Sequence, residues 1–130
     1  MDTPIYIHRY QLVSKSVLNS KSERLVHEGV LIRVNDGVGC IHPWVELGDA
    51  PLESQIEDLR RGSFESSLVR SAMDSAIVDG AARRSGVSLF NEVHVPKSHA
   101  TITGGSESVL EAVSMGFDVV KLKAGRNMDS

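Results

Sequence analysis

Gly29-Val-Leu-Ile-Arg-Val-Asn-Asp-Gly-Val-Gly-Cys-Ile-His42 decides the fold of the first part of the chain. Two apolar, β-branched runs at 29–34 and 38–42 flank Asp36-Gly37. An Asp-Gly pair between two such runs is a strong hairpin signal, because both central residues of a type I′ turn need positive φ. Upstream, Ile5, Tyr6, Ile7, Tyr10 and Val13 give a further strand over 5–13. Between them, 15–23 is polar and serine-rich and reads as a loop. The opening is therefore expected to be an antiparallel meander.

Downstream the period changes. Pro51 suits the first turn of a helix, where its missing N–H is not needed, and Glu53 lies near the positive end of the dipole. Leu52, Ile56 and Leu59 share one face, and Gly62 ends the segment. Ser63 reads as the cap of a second helix, with Val69, Ala72, Met73, Ala76, Ile77, Gly80 and Ala81 expected inward and Gly86 as a left-handed stop. The small residues of that stripe allow close packing on the meander.

A second unit begins near Val87. Val93 to Pro96 reads as extended, and Ala100-Thr-Ile-Thr103 as a short strand. Gly104-Gly105 turns the chain into a helix over 106–115, with Val109, Leu110 and Val113 expected inward. Asp118-Val-Val-Lys-Leu-Lys-Ala124 is another strand. Strand, helix, strand in so short a space is a βαβ unit, which implies parallel pairing and a right-handed crossover. The expected architecture is α+β: an antiparallel α+β module over 1–90, then the start of a parallel β/α fold over 91–130. A complete (β/α)₈ barrel takes about 250 residues, so this reading makes the chain the front portion of something longer.

Composition narrows the classes. Of 130 residues, 41% are hydrophobic and 24% charged, an ordinary globular balance. A net charge of -3 gives no pull toward nucleic acid or anionic membrane. No apolar run approaches the ~20 residues of a membrane span. Met1-Asp2-Thr3-Pro4 lacks the basic and then apolar run of a signal peptide. Cys40 is the single cysteine, which excludes an internal disulfide and fits a cytoplasmic setting.

The segment richest in chemistry is Val119-Val-Lys121-Leu-Lys123-Ala-Gly125. Side chains of a strand alternate, so Lys121 and Lys123 share a face opposite Val120, Leu122 and Ala124. In a parallel barrel the apolar face meets helices, and the lysines would point inward near the carboxyl-terminal mouth, where active sites are built. Two neighbouring ammonium groups disfavour each other's charge, and desolvation adds to that. One lysine then serves as a base while the other stabilises negative charge. An isolated Lys-X-Lys is better read as an edge strand facing water. The βαβ context and the module before it reverse that preference.

Meander, helices, linker with Pro96, strand, helix and then Val-Lys-Leu-Lys-Ala-Gly together resemble the muconate-lactonizing branch of the enolase superfamily. The segment Ile41-His-Pro-Trp-Val-Glu-Leu-Gly-Asp-Ala-Pro-Leu-Glu53 is similar to the o-succinylbenzoate synthases within it. The resemblance implies a lyase of menaquinone biosynthesis. In that reaction a cyclohexadiene dicarboxylate, the small-molecule partner, loses water after a proton is taken from the carbon next to a carboxylate. It implies Lys123 as the base and later the general acid, and Lys121 as its electrostatic support. It also implies a divalent metal, usually Mg²⁺, held by acidic residues of the third to fifth barrel strands. No metal ligand is expected in this chain, so the chain alone is expected to be inactive. A Lys base with Mg²⁺ is the handling of enolase-type chemistry in general. The resemblance further implies that the loop between the first two strands closes over the barrel mouth.

Lys15, Lys21 and Arg24 are the loop's candidates for a substrate carboxylate, with Arg24 best suited to a two-point contact. Trp44 is a candidate for lining the pocket, with a packing role as the alternative. His8, His27, His42, His94 and His99 include no i, i+4 helical pair, and structural or surface roles are expected for them. Related chemistries sharing the lysine pair are dipeptide epimerisation, N-acylamino acid racemisation and muconate cycloisomerisation. A non-enzymatic α+β interaction module is the alternative of a different class.

Overall fold

A computed structural model describes residues 3–15, 17–18, 21–102 and 105–122. The chain divides into two units, Met1–Asn91 and Glu92–Ser130.

In the first unit, β1 (Ile5–Val13), β2 (Val26–Val34) and β3 (Gly37–Ile41) form an antiparallel sheet in the order β1-β2-β3. All nine residues of β1 pair with β2, from Ile5 opposite Val34 to Val13 opposite Val26. The register puts Ile5, Val30, Ile32, Gly37, Gly39 and Ile41 on one face. There they meet α1 (Leu52–Arg61) and α2 (Ser67–Ser85), and Val30, Ile32, Ile41, Ile56, Leu59, Val69 and Ala72 form the core. Burying these side chains supplies the main stabilisation, about 1.5–3 kcal/mol for each large one.

The turn between β2 and β3 falls one residue earlier than expected. Val34 pairs with Gly37, so Asn35 and Asp36 form the turn, and of these Asn35 carries the positive φ of 52°. Gly37 is glycine for another reason: a Cβ there would sit 1.8 Å from the Ala76 carbonyl oxygen. Gly39 repeats the contact one step on, with 2.0 Å to the Ala72 oxygen. The two glycines receive the small stripe Ala72, Ala76 and Gly80 of α2, all buried. Ile77 and Ala81, expected inward, are not in the core: Ile77 and Ala81 are exposed, because the glycine seam draws the contact line along the i, i+4, i+8 row and rotates them away.

Helix α1 runs from Leu52 and ends at Gly62 in the left-handed conformation, as its sequence signals indicate. Pro51 precedes the helix rather than opening it. Ser63 does not cap α2, whose N-cap is Ser66. Instead the Asp58 carboxylate accepts from the Ser63 hydroxyl (2.5 Å) and from the amides of Glu65 (3.1 Å) and Ser66 (2.9 Å). These donors hold the Asp58 carboxyl below the usual carboxylate range, the Ser63 hydroxyl contributing most. At the far side of the sheet, the outward amide of Val38 donates to Asp79 of α2 at 2.9 Å, which blunts the edge of β3.

The second unit contains β4 (His99–Ile102), α3 (Ser106–Ser114) and β5 (Val119–Leu122), with β4 and β5 parallel. Ala112 of α3 and Ile102 of β4 are buried. Leu110 and Val113, expected inward, are 70% and 58% exposed; the helix turns Ala112 to the sheet instead. Among the described residues no helix is long and apolar enough to cross a membrane.

Candidate functional site

Alternation in the meander leaves Tyr10, His27, Gly29 and Cys40 on the face away from the helices, and His42 and Trp44, just past β3, pack against Tyr10 and His27 there. At the end next to the 14–24 loop they close into a cluster. Tyr10 lies directly opposite Gly29, and only a glycine admits it: a Cβ at Gly29 would meet the Tyr10 hydroxyl at 2.3 Å and His42 Nδ1 at 2.9 Å. The phenol crosses that gap and stands 2.7 Å from His42 Nδ1 and 3.3 Å from Cys40 Sγ. Burial raises the Tyr10 phenol above its ordinary value, with Cys40 adding to the effect. Burial, then His27 and Arg24, lower His42. The Tyr10 hydroxyl and His42 Nδ1 share one hydrogen bond, whose direction follows the imidazole tautomer.

His27 is 2% exposed, and its Nδ1 has no hydrogen-bond partner among the described residues. Its ring lies 4.8 Å from Trp44, centroid to centroid, and 6.3 Å from His42. Trp44 is half-buried, its amide donates to Asp49 at 2.8 Å, and the Arg24 guanidinium stands 5.8 Å over its ring. Among the described residues the loop is held at its root and near its end. At its root the amide and hydroxyl of Ser14 both donate to the Leu25 carbonyl, at 2.8 and 3.2 Å. Nearer its end it meets Glu46, in the 3₁₀ turn Val45–Leu47. The Ser22 hydroxyl donates to Glu46 Oε1 at 3.0 Å, and Arg24 Nη2 donates to Oε2 at 3.2 Å. Arg24 Nε lies 2.9 Å from Oε1 as an ion-pair contact without hydrogen-bond alignment. The Glu46 carboxyl is held low, first by a backbone amide, then by Ser22, Arg24 and His27 against the opposing effect of burial.

Arg24 and Trp44, candidates from the sequence, thus come together, while Lys21 is exposed in the turn before Ser22. Glu46 and Tyr10 are not among the sequence candidates, and His27 is there expected to be structural. The signal for the two aromatic rings is the register: with β1, β2 and β3 paired, positions 10, 27 and 29 fall on one face.

In the second unit Lys121 pairs in register with Thr101, and both are exposed. Of the alternate residues, Ile102 is buried and Ala100 and Val120 are half-buried, while Leu122, expected to be covered, is 62% exposed; Lys121 stands on the face opposite Ile102. Lys123 lies outside the described residues. Lys97 is ion-paired with Asp118 just before β5.

A solvent groove of about 920 Å³ runs beside α1 and is rich in carboxylates. Three of them are already engaged: Glu53 meets Arg9, Glu57 meets Arg61, and Asp58 holds the turn before α2. Among the described residues no group of three or more His, Cys, Asp or Glu is placed to hold a metal ion.

The fold is of the α+β class: a meander covered on one face by helices, consistent with a capping domain, and a separate unit with a parallel strand pair. Residues 5–82 match the family model described as O-succinylbenzoate synthase, N-terminal domain, and the chain belongs to that family, within the enolase superfamily. An o-succinylbenzoate synthase of Bdellovibrio bacteriovorus is 30% identical over 128 residues, an alignment that covers 92% of this chain. The chain spans 38% of that relative's length.

Proposed function

We propose that this chain supplies the capping domain and the first lysines of an o-succinylbenzoate synthase, a lyase that dehydrates a cyclohexadiene dicarboxylate on the way to menaquinone. The family match and the curated relative support the choice of enzyme. The single observation that carries the site is the placement of Lys121: exposed, on the face opposite Ile102, near the carboxyl end of a strand in a parallel pair. Lys123 enters this reading from the Lys-X-Lys spacing of the sequence alone.

The chemistry follows from that pair. The neutral amine of Lys123 takes the proton from the carbon next to a substrate carboxylate, leaving an enediolate. The charged ammonium of Lys121 offsets the new negative charge. Lys123 then gives its proton to the departing hydroxyl, the C–O bond breaks, and water leaves as the ring becomes aromatic. Arg24, Lys21 and Trp44 are the first unit's candidates for meeting the substrate's carboxylates and ring. The Mg²⁺ that the family implies finds no ligand set among the described residues. Residues 1–90 and 91–130 divide as capping domain and opening of a β/α barrel.

Steady-state assay of the native protein with the diene tests this. Lys123→Ala is expected to abolish turnover while circular dichroism stays unchanged. Turnover near that of the unmodified protein would show that another group is the base.

A further inference from the structure

The Arg24–Glu46 pair has the form of a receptor with its place already taken. Two guanidinium nitrogens face two carboxylate oxygens, at 2.9 and 3.2 Å, the approach by which arginine recognises a carboxylate. The grip is imperfect, since the Nε–H lacks hydrogen-bond alignment on Oε1. It is also reachable: the side chains keep 32% and 23% of their surface open to solvent. Trp44 lies beneath the guanidinium and His27 lies against Trp44, so the cation rests on a platform that does not depend on Glu46.

We propose that Glu46 is a positioning residue that acts as a built-in competitor: it occupies Arg24 until a ligand carboxylate displaces it. The inference rests on the reading of Arg24 as a carboxylate contact.

Calorimetric titration of the native protein with phthalate and with o-succinylbenzoate tests it without requiring turnover. Glu46→Gln keeps the shape and removes the competing charge. It is expected to tighten both dissociation constants, by up to about fivefold for a pair this exposed. Glu46→Asp, which restores the charge, is expected to return them toward the original values. In an Arg24→Lys background, Glu46→Gln is expected to have no further effect. A purely structural anchor gives the opposite sign: weaker binding in Glu46→Gln, which overturns the proposal, as does an unchanged constant. If Arg24→Lys alone leaves both constants unchanged, Arg24 does not meet the ligand and the proposal falls with it. If the native protein binds phthalate with this pattern yet does not turn over the diene, the competition stands and the assigned reaction fails.

Discussion

Replacing Gly39 by alanine tests the feature on which the first unit is built. A methyl group at that position would lie 2.0 Å from the Ala72 carbonyl oxygen, 2.8 Å from its carbon and 3.1 Å from its Cα. All three are backbone atoms, so no rotamer change relieves the overlap. Restoring a contact of about 3.2 Å from 2.0 Å moves α2 away from β3 by roughly 1.2 Å, and a gap of that order forfeits a quarter to half of the dispersion energy of the contacts it opens. The opened seam includes Ala72, Ala76 and the Val69 side chain, all within 1% of complete burial. The expected loss is about 3 kcal/mol, the upper end for overpacking. A domain of this size has about 5–15 kcal/mol in total. At about 4–8 °C per kcal/mol, Tm falls by roughly 12–24 °C. Urea unfolding followed by circular dichroism measures the loss. Val38→Ala, next door on the other face, is the control and is expected to cost under about 1 kcal/mol. A Gly39→Ala loss below about 1 kcal/mol would refute the claim that strand and helix are in backbone contact here.

Ile32→Ala, at a position with no exposed surface, is expected to cost about 2–5 kcal/mol, measured in the same unfolding experiment. Acidification is expected to destabilise the first unit, with Asp58 and His42 among the groups responsible. The Asp58 carboxyl is held low when folded, so its stabilisation is present above the usual carboxylate range and lost as pH falls through the lowered value. His42 is also lowered when folded, so below the ordinary imidazole range the unfolded chain takes the proton first and stability falls. Asp58→Asn should flatten the acidic part of a plot of urea midpoint against pH, and His42→Gln the part nearer neutrality. The 130-residue chain alone is expected to show no conversion of the diene in the presence of Mg²⁺, and turnover above background would contradict the division of labour proposed above.

Much of the fold is legible in the sequence because its signals are local. The ends of α1 and α2 at Gly62 and Gly86, both left-handed, follow from glycine beside basic last turns. The limits of β1 follow from its β-branched and aromatic residues. What the sequence hides depends on contacts distant along the chain. Gly37 has the signature of a turn residue, but its constraint comes from α2, some forty positions away. Ile77 points inward on helical period alone, whereas the glycine seam decides which row of α2 touches the sheet. Ser63 has the right chemistry for a cap, yet Asp58 captures its hydroxyl. In the site, Arg24 and Trp44 stand out by chemical type. Glu46 does not, because a lone glutamate in a turn carries no pattern; its role emerges only when the loop folds back on it.

Trp44 is the only tryptophan in these 130 residues, and it sits where the loop, the turn and the buried imidazole meet. Its fluorescence is therefore a native, label-free gauge of this corner of the molecule. Lifting the guanidinium from the indole, or placing a proton on the neighbouring ring, alters the emission at the spot where the 14–24 segment is tied down.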